Sequence, residues 1–322
     1  MNKYLLLIDG SSLLCTQYFG TEPLSTADGT PTNGVFGFMK VLSKIISKHN
    51  PSHLVVCWDV SRNTFRKEIF DDYKANRDET PNDLSIQFKI CQELLNKMGI
   101  KQFFSNDYEA DDYCGTISKL FENLIDVKII TKDKDYFQCL SEKTHIWKIC
   151  NKKKDWQNLC TKYGLDEKTM PEKMFELTPD ILKQEYGYSP DKVVFIKGLM
   201  GDSSDNIPGI EGIGEKSAIV LANKYANMTE LYKDIESKTD EELDSWKKEL
   251  KLRKNVIDSL KKKETKYQGQ TNKDLGILSE NLATIKRDIP LGDLKLEDLE
   301  LHINSEEANK SLNQLEIKSI KF

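Results

Sequence analysis

The chain has 322 residues, of which 38% are hydrophobic and 31% charged, and its formal net charge is −5. This length fits one large globular unit with a smaller satellite, and the composition excludes a disordered chain. No apolar run approaches the length of a membrane span and no signal peptide leads the chain, so we expect a cytoplasmic protein without a membrane partner.

Cysteine and histidine usage limits the kind of metal that the protein could bind. The seven cysteines are scattered without a Cys-x-x-Cys pair, and there are only four histidines. A zinc site is therefore disfavoured, and any metal should be a hard ion bound through oxygen, such as magnesium or manganese. The acidic net charge argues only weakly against a nucleic-acid partner, because a carboxylate-lined metal pocket would lower the total.

Three short, continuous apolar runs are typical of strands buried on both faces of a parallel sheet. They span residues 4–8, 54–58 and 127–131, and helical patterns at 34–48 and 83–97 lie between them. Strand, helix, strand indicates an α/β fold whose active site lies beyond the carboxyl ends of the strands. An aspartate follows each run: Asp9 the first, Asp59 the second, and Asp133 and Asp135 the third.

The start of a further helix sets three carboxylates within four residues, at Glu109, Asp111 and Asp112. Like charges this close raise one another's pKa unless a cation neutralises them. Acidic residues in a first helical turn also suit the helix dipole, so this stretch alone does not decide between the two roles. Together with the strand-end aspartates, and with Asp202 and Asp205 further along, it indicates a divalent-metal pocket built from separate segments.

The connection that follows Asp59 interleaves cations with aromatic residues over about 60–82. Long connections of this kind are usually functional lids or disordered segments. Cations can meet phosphates while aromatics stack on bases, so the segment suits a strand of nucleic acid, with a solvated charged loop as the alternative. Its candidate residues are Arg66, Tyr73, Lys74 and Arg77.

Beyond residue 187 only helical patterns remain, and one junction between two helices is rich in glycine. Glycines there let backbone N–H groups face outward at a helix N-terminus, as in a helix-hairpin-helix that grips a phosphate backbone. No strand precedes them, which excludes a dinucleotide-binding fingerprint. We expect the last stretch, 272–322, to be a loosely packed tail. The candidate residues of the hairpin are Gly209, Gly212, Gly214 and Lys216.

Taken in order, these motifs resemble the structure-specific 5′-nuclease family, which includes the 5′-nuclease domain of bacterial DNA polymerase I, stand-alone 5′→3′ exonucleases and flap endonucleases. The resemblance covers nearly the whole chain, and we expect no attached polymerase. The motifs that carry it are Asp9-Gly10, Phe65-Arg66, Tyr73-Lys74-Ala-Asn-Arg77, Glu109-Ala-Asp111-Asp112, Thr131-Lys-Asp133-Lys-Asp135, and the run from Gly201-Asp202 to Gly214-x-Lys216.

The resemblance implies an α/β fold with a PIN-like parallel-sheet nuclease domain at 1–187 and a helical arch at about 60–82. It also implies a smaller helix-three-turn-helix domain for duplex DNA at 188–290 and a C-terminal tail at 291–322. Two departures stand out. Residues 149–175 are longer than the usual connection, and residues 16–18 lack the basic residue that many relatives carry after the first aspartate.

The same resemblance implies a role for each candidate residue. Lys74 and Arg77 would contact the scissile phosphate, Arg66 and Tyr73 would bind the substrate, and the glycine hairpin would hold a potassium ion against the DNA backbone. The metal ligands fall into two sets, each for one magnesium ion that manganese can replace: Asp9, Asp59, Glu109, Asp111 and Asp133 with Asp112 beside them, and Asp135, Asp202 and Asp205.

The sequence thus predicts a metal-dependent 5′→3′ exonuclease and flap endonuclease that cleaves DNA near 5′ ends and junctions. We expect a monomer that acts in DNA replication and repair and also removes RNA primers. Two magnesium ions about 4 Å apart can serve phosphodiester hydrolysis. One alternative is a catalytically inactive DNA-structure-binding protein. An aspartyl phosphatase is the other, and Asp9-Gly10-Ser11 disfavours it because a second aspartate is missing two residues on.

Overall fold

The computed structural model of the protein describes residues 3–262, 265–267 and 269–322. Within that part of the chain, no helix combines the length and the apolar content that crossing a membrane requires. The strands are β1 (Tyr4–Asp9), β2 (His53–Cys57), β3 (Lys101–Phe103), β4 (Asp126–Thr131), β5 (Thr144–Ile149) and β6 (Met174–Leu177). The α-helices are α1 (Gly10–Gly20), α2 (Asn33–His49), α3 (Phe65–Ile69), α4 (Asn82–Lys97), α5 (Ala110–Phe121), α6 (Lys153–Tyr163), α7 (Pro179–Tyr186), α8 (Val193–Met200), α9 (Glu215–Lys224), α10 (Met228–Ser237), α11 (Asp240–Glu249), α12 (Lys254–Lys261), α13 (Asn272–Ala283) and α14 (Ser305–Gln314).

The chain forms two compact units, and their boundaries differ from the predicted ones. The first unit comprises Met1–Arg62, Glu79–Thr178 and Lys286–Phe322, and the second comprises Asn63–Asp78 and Pro179–Ile285. The segment predicted to form an arch is therefore part of the helical unit. The C-terminal segment belongs to the sheet-bearing unit rather than forming a separate tail.

A six-stranded sheet in the order β3-β2-β1-β4-β5-β6 is the centre of the first unit. All neighbouring strands are parallel except β6, which runs antiparallel to β5 at one edge. The three predicted strands are the adjacent β2, β1 and β4, and Ile8 of β1 pairs with Val56 and Ile130. Residues Leu5 to Ile8 are fully buried, as expected for a strand covered on both faces. The predicted α/β class is confirmed.

Close backbone approaches fix how the first helices pack on this sheet. Gly10 begins α1, and a Cβ atom there would lie 2.7 Å from the ring of Trp58 and from the Val56 side chain. Gly37 of α2 would likewise place a Cβ 2.7 Å from Gln17 of α1. Real Cβ contacts are not this short, so glycine at both positions lets the helices lie close to the strands and to each other.

The long connection at residues 149–175 adds structure to the sheet. It carries α6 and leads into β6, whose strand pairs with β5. Side chains from three adjacent strands meet there: His145 lies 3.0 Å from the Lys128 ammonium and 2.8 Å from the Glu176 carboxylate. This charged cluster ties the antiparallel edge strand to the parallel part of the sheet.

The expectation of a loosely packed C-terminal tail is wrong. Leu299, Ala308 and Leu312 are fully buried, and the last two share one face of α14 because they are four residues apart. The backbone also bonds to the first unit, with the N–H of Leu301 donating to the Ser52 carbonyl over 3.0 Å. Ile317 and Ile320 are buried as well, so the segment packs into the core up to its last residues.

The second unit is helical, as predicted. Helix α8 packs closely on α13, since a Cβ on Gly198 would lie 2.4 Å from Glu280 of α13. Helix α10 also approaches α13 closely, since a Cβ on Gly276 would lie 2.6 Å from the Met228 side chain. Tyr73, from the segment predicted to form the arch, is buried in the core of this unit. Its partners there are Ile207, Leu282 and Ala283.

Candidate functional site

The carboxyl ends of β1, β2 and β4 bring three predicted metal ligands to one edge of the sheet. Asp9 ends β1 and caps α1, where its carboxylate accepts a hydrogen bond from the Ser12 N–H over 2.9 Å. The Thr131 hydroxyl at the end of β4 donates to the same carboxylate over 2.9 Å and accepts from the Asp133 N–H over 3.0 Å. Asp59 follows β2, and its N–H donates to the Ser11 hydroxyl over 2.9 Å.

The pKa of the Asp9 carboxyl lies well above its usual value. It is 5% exposed, and burial together with the negative charges of Asp59 and Asp133 raises its pKa to about 7, against the hydrogen bonds from Ser12 and Thr131. A carboxylate that is buried beside other carboxylates favours either a proton or a cation. This edge therefore has the charge and the hard oxygen donors that suit a divalent metal.

The start of α5 joins this edge through a backbone bond. The Ala110 N–H donates to the Asp59 carboxylate over 2.8 Å, which places Glu109 and Asp111 next to the end of β2. Glu109 is 5% exposed, and Asp111 is half-buried. Both predicted ligands thus flank the strand-end aspartates.

Asp112 has a structural role that its sequence position does not reveal. It is fully buried, and its two oxygens accept hydrogen bonds from the backbone N–H groups of Glu109 over 3.1 Å and Lys286 over 2.8 Å. The first bond caps α5, and the second fixes the returning C-terminal segment. Asp112 as a metal ligand stays a prediction, because a carboxylate oxygen that accepts one hydrogen bond keeps a lone pair for a cation.

Asp135 begins the turn after β4. It is 8% exposed, and its N–H donates to the Asp133 carboxylate over 2.9 Å. The next residue, Tyr136, is buried, and burial together with the charges of Asp9 and Asp111 raises the pKa of its phenol. Across the described ranges, no three His, Cys, Asp or Glu side chains are arranged to enclose a metal ion as they stand. The strand ends gather the carboxylates without closing them around an ion.

The remaining two predicted ligands belong to the second unit, where each is paired with lysine or arginine. Asp202 lies 2.6 Å from the Lys197 ammonium and accepts hydrogen bonds from the N–H and hydroxyl of Ser204. Burial would raise the pKa of Asp202, but these partners outweigh it and lower the pKa below its usual value.

Asp205 holds the two cations that were predicted to contact a phosphate. Arg77 forms an ion pair with its carboxylate, and the Lys74 ammonium lies 3.8 Å from it. The Lys74 N–H donates to the Asp205 carbonyl over 2.9 Å, and Lys74 adopts a left-handed φ of 54°. A lysine in this region is strained, so the surrounding bonds hold it there.

Arg66 and Tyr73 are buried rather than exposed to a substrate. Arg66 is 1% exposed, and its guanidinium donates to the carbonyls of Leu282 and Thr284 over 3.0 Å each, at the C-terminal end of α13. Tyr73 is 3% exposed, and its hydroxyl donates to the Asp205 carboxylate over 3.4 Å. Both side chains hold the segment at 63–78 within its own unit, and their substrate-binding roles stay predictions.

The predicted hairpin between two helices is present as α8, a glycine-rich loop and α9. Gly209 has a φ of 60°, and a Cβ there would lie 2.2 Å from the Gly201 nitrogen, so both positions require glycine. Gly212 has a φ of 83°. Gly214 caps α9, and Lys216 is exposed in the first turn of that helix. The potassium ion remains a prediction.

Three residues at the sheet edge were missed by sequence reasoning. Ser11, Ser12 and Thr131 use their hydroxyls to hold the loops after β2, β4 and β1 in place. The available signal was the pair of serines directly after Asp9-Gly10. Small hydroxyl residues at a helix start often satisfy nearby backbone groups.

Comparison with known proteins agrees with this architecture. A family model described as "5'-3' exonuclease, N-terminal resolvase-like domain" matches residues 4–174, and one described as "5'-3' exonuclease, C-terminal SAM fold" matches residues 188–307. The phage T5 5′-exonuclease, solved with zinc, covers 98% of this chain and all of its own, with a TM-score of 0.60 at 18% identity. The catalytic core of Rad2, solved with a DNA substrate, aligns with a TM-score of 0.55 over 98% of this chain and 88% of its own at 17% identity. These structures share the fold.

Sequence relatives identify the family. DNA polymerase I of Bacillus caldotenax is 34% identical over 93% of this chain, which spans 30% of that relative's length. The 5′-3′ exonuclease of Bacillus subtilis (strain 168) is 36% identical over 238 residues, covering 73% of this chain and 74% of the relative. With the family model matching more than half of the chain, the protein belongs to the 5′-3′ exonuclease family.

Proposed function

We propose that the protein is a divalent-metal-dependent 5′→3′ exonuclease and flap endonuclease that hydrolyses DNA phosphodiesters near 5′ ends and at junctions of single strand and duplex. The observation that carries the proposal is the gathering of Asp9, Asp59 and Asp133 at the ends of three adjacent strands, with Asp9 buried. Burial, together with repulsion from Asp59 and Asp133, raises the pKa of Asp9, and a bound cation would lower it again.

The first unit supplies the candidate ligands of a metal pair. Two bound magnesium ions, or manganese in their place, would provide a nucleophile at neutral pH and stabilise the charge of the leaving oxygen. Asp9, Asp59, Glu109, Asp111 and Asp133 would hold an ion through oxygen, with Asp112 beside them. Hydrogen bonds from Ser12 and Thr131 fix the Asp9 carboxylate in orientation, which is the preorganisation that a metal site needs.

The second unit supplies candidates for contact with the nucleic acid. Lys216 is exposed at the N-terminus of α9, where the backbone N–H groups and the helix dipole also favour a phosphate. A potassium ion at the glycine hairpin is part of this proposal. Lys74 and Arg77 would exchange the Asp205 carboxylate for a substrate phosphate, since both partners are anions of similar geometry. Asp202 and Asp205 stay proposed ligands on this unit, and Asp135 stays a proposed ligand on the first unit.

The biological setting is also proposed. DNA is the partner, RNA primers are a further substrate, and the protein acts as a monomer in DNA replication and repair. A related structure supports the choice of partner, since phage T5 flap endonuclease was solved with DNA and metal ions.

A single labelled flap tests the proposal. A flap with a 5′ fluorophore is incubated with the protein in Mg²⁺ or in EDTA, and the products are sized on a gel. We expect cleavage near the junction in Mg²⁺ and none in EDTA. Binding of the flap without any cleavage would instead support an inactive DNA-structure-binding protein, and cleavage that persists in EDTA would refute the metal dependence.

A matched pair of variants sharpens that assay. Asp111→Asn should abolish cleavage while leaving flap binding measurable, because it removes the charge of one proposed ligand. Asp107→Asn makes the same change in charge at an exposed position just before α5, and it should cleave like the wild type. Full turnover by the Asp111 variant would remove that residue from the ligand set.

A further inference from the structure

The first unit contains a cleft of about 960 Å³ that the proposed chemistry does not use. One wall is formed by α1 and α2, and the other by residues 149–151 and 171–174, which bracket the long connection. Its volume is within the range of ligand-binding pockets, roughly 300–1,000 Å³. The cleft is therefore large enough for a few linked nucleotides or an equivalent chain.

The cleft is strongly basic. Five lysines line it against two glutamates, and three of the lysines lie on α2 at intervals of four residues, about 6 Å apart along the helix axis. Lys44 lies 3.8 Å from Glu172. The other four lysines form no ion pair with any residue that the structure describes, and all four are exposed: Lys40, Lys48, Lys132 and Lys173. Such a row of cations suits a chain of anionic groups better than a single anion.

Aromatic and apolar side chains lie among these lysines. Phe19 is 74% exposed although it is a large hydrophobic residue. The Lys40 ammonium lies over the Phe36 ring, 5.5 Å from the ring centroid. Ile149 and Met174 line the opposite wall. Cations beside exposed aromatics are the combination that binds single-stranded nucleic acid, with phosphates on the cations and bases stacked on the rings.

One end of the cleft reaches the sheet edge that carries the carboxylates. Ser12 and Lys132 line that end, and the Ser12 hydroxyl accepts a hydrogen bond from the Lys132 N–H over 3.0 Å. Asp133 is the next residue along the chain. A strand lying in the cleft would therefore run directly to or from the proposed site of hydrolysis.

We propose that the cleft between α2 and residues 149–174 binds a single-stranded segment of the nucleic acid on which the carboxylate edge acts. The inference rests on the proposed function for the identity of the polymer. A duplex fits less well, because its bases face inward and leave the exposed Phe19 ring without a stacking partner. An acidic peptide would use the lysines but leave the aromatic ring unexplained.

The test compares two pairs of neutralised lysines in the full chain. Lys40→Gln with Lys48→Gln removes two charges from the cleft, and Lys89→Gln with Lys97→Gln removes two from α4 at the same spacing, outside the cleft. Binding of a labelled oligothymidylate of about 12 nucleotides is followed by fluorescence anisotropy over a range of salt, in EDTA to prevent hydrolysis. Each phosphate contact contributes about 0.7 to the salt slope of a single strand.

We expect the cleft pair to weaken binding roughly tenfold at low salt and to reduce the salt slope by about 1.4, while the α4 pair changes neither. Phe19→Ser should weaken binding without changing the slope, and Phe104→Ser, at another exposed aromatic, should not weaken it. Equal losses in both lysine pairs would overturn the proposal. So would polyglutamate competing as well as the oligonucleotide does.

Failure of this inference can be told apart from failure of the proposed function. If the cleft pair binds the oligonucleotide like the wild type while flap cleavage still requires Mg²⁺, the cleft assignment is wrong and the proposed function stands. If the wild type cleaves no flap but binds the oligonucleotide through the cleft lysines and Phe19, the cleft assignment stands and the proposed hydrolysis is wrong.

Discussion

The Thr131 hydroxyl donates to the buried Asp9 carboxylate over 2.9 Å and so joins the ends of two adjacent parallel strands. Thr131→Val keeps the shape but leaves the Asp9 oxygen and the Asp133 N–H without this partner. We expect a loss of about 1–3 kcal/mol in the free energy of unfolding, measured by urea denaturation in Mg²⁺. Thr131→Ser keeps the hydroxyl and is the control. Equal stability of the valine and serine variants would show that this hydrogen bond does not contribute to the free energy of unfolding.

The raised pKa of Asp9 should make the stability of the metal-free protein fall with rising pH. Burial and the neighbouring carboxylates raise its pKa from 3.8 to about 7. The folded state therefore binds a proton more tightly than the unfolded chain. The bound proton therefore contributes to the free energy of unfolding. This contribution is fully present below about pH 4 and is lost as pH rises through 7, and it amounts to about 4 kcal/mol for three pKa units. Denaturation in EDTA at a series of pH values measures it.

Asp9→Asn provides the control for that pH dependence. The amide keeps an oxygen for the Ser12 N–H but cannot ionise, so the fall in stability between pH 4 and 7 should largely disappear. Added Mg²⁺ should stabilise the wild type most at neutral pH, where the carboxylates are charged, and should have little effect on the variant. An unchanged pH profile in Asp9→Asn would assign the titration to another group.

Asp112 should behave as a structural residue next to a catalytic one. Asp112→Ala leaves the buried N–H groups of Glu109 and Lys286 without acceptors, and we expect it to cost about 2–5 kcal/mol of stability. Asp111→Ala should cost little stability and abolish cleavage. Thermal unfolding in EDTA and flap cleavage in Mg²⁺ separate the two effects. A stable but inactive Asp112→Ala protein would place Asp112 among the metal ligands and contradict this structural role.

Lys74 should contribute to turnover more than to binding. Lys74→Ala removes a charge that is paired with Asp205 in the structure and that we propose to transfer to the substrate phosphate. We expect kcat to fall by up to about a hundredfold with a smaller change in KM. Steady-state kinetics on the labelled flap measure both. An equal loss of binding and turnover would make Lys74 a binding residue only.

Local patterns were sufficient to predict the central strands and the carboxylate edge. The apolar runs of β1, β2 and β4 are long enough to read directly, and parallel strands place their following aspartates at one edge. The short β3 and the mixed β5 and β6 gave no such signal. Strand β3 has only three residues, and polar or charged residues such as His145, Lys148 and Glu176 interrupt the apolar residues of β5 and β6.

The missed features depend on contacts between residues far apart in the chain. Arg66 resembles a surface cation in sequence, yet it is buried because it meets carbonyls at Leu282 and Thr284, more than 200 residues later. In the sequence, Asp112 cannot be distinguished from its neighbour Asp111. In the structure, its carboxylate accepts a hydrogen bond from the Lys286 N–H. A sequence pattern shows which residues carry charge, but not which distant backbone group that charge will satisfy.

The most direct test of the central claim is a calorimetric titration of the apo protein with Mn²⁺. If the strand-end carboxylates hold the catalytic ions, the wild type should bind Mn²⁺. Asp133→Asn should bind it at least about tenfold more weakly, because mutating a residue that only supports a metal ligand already costs about that much affinity. Asp107→Asn should bind like the wild type. Wild-type affinity in the Asp133 variant would contradict the account, because the metal would then be held elsewhere.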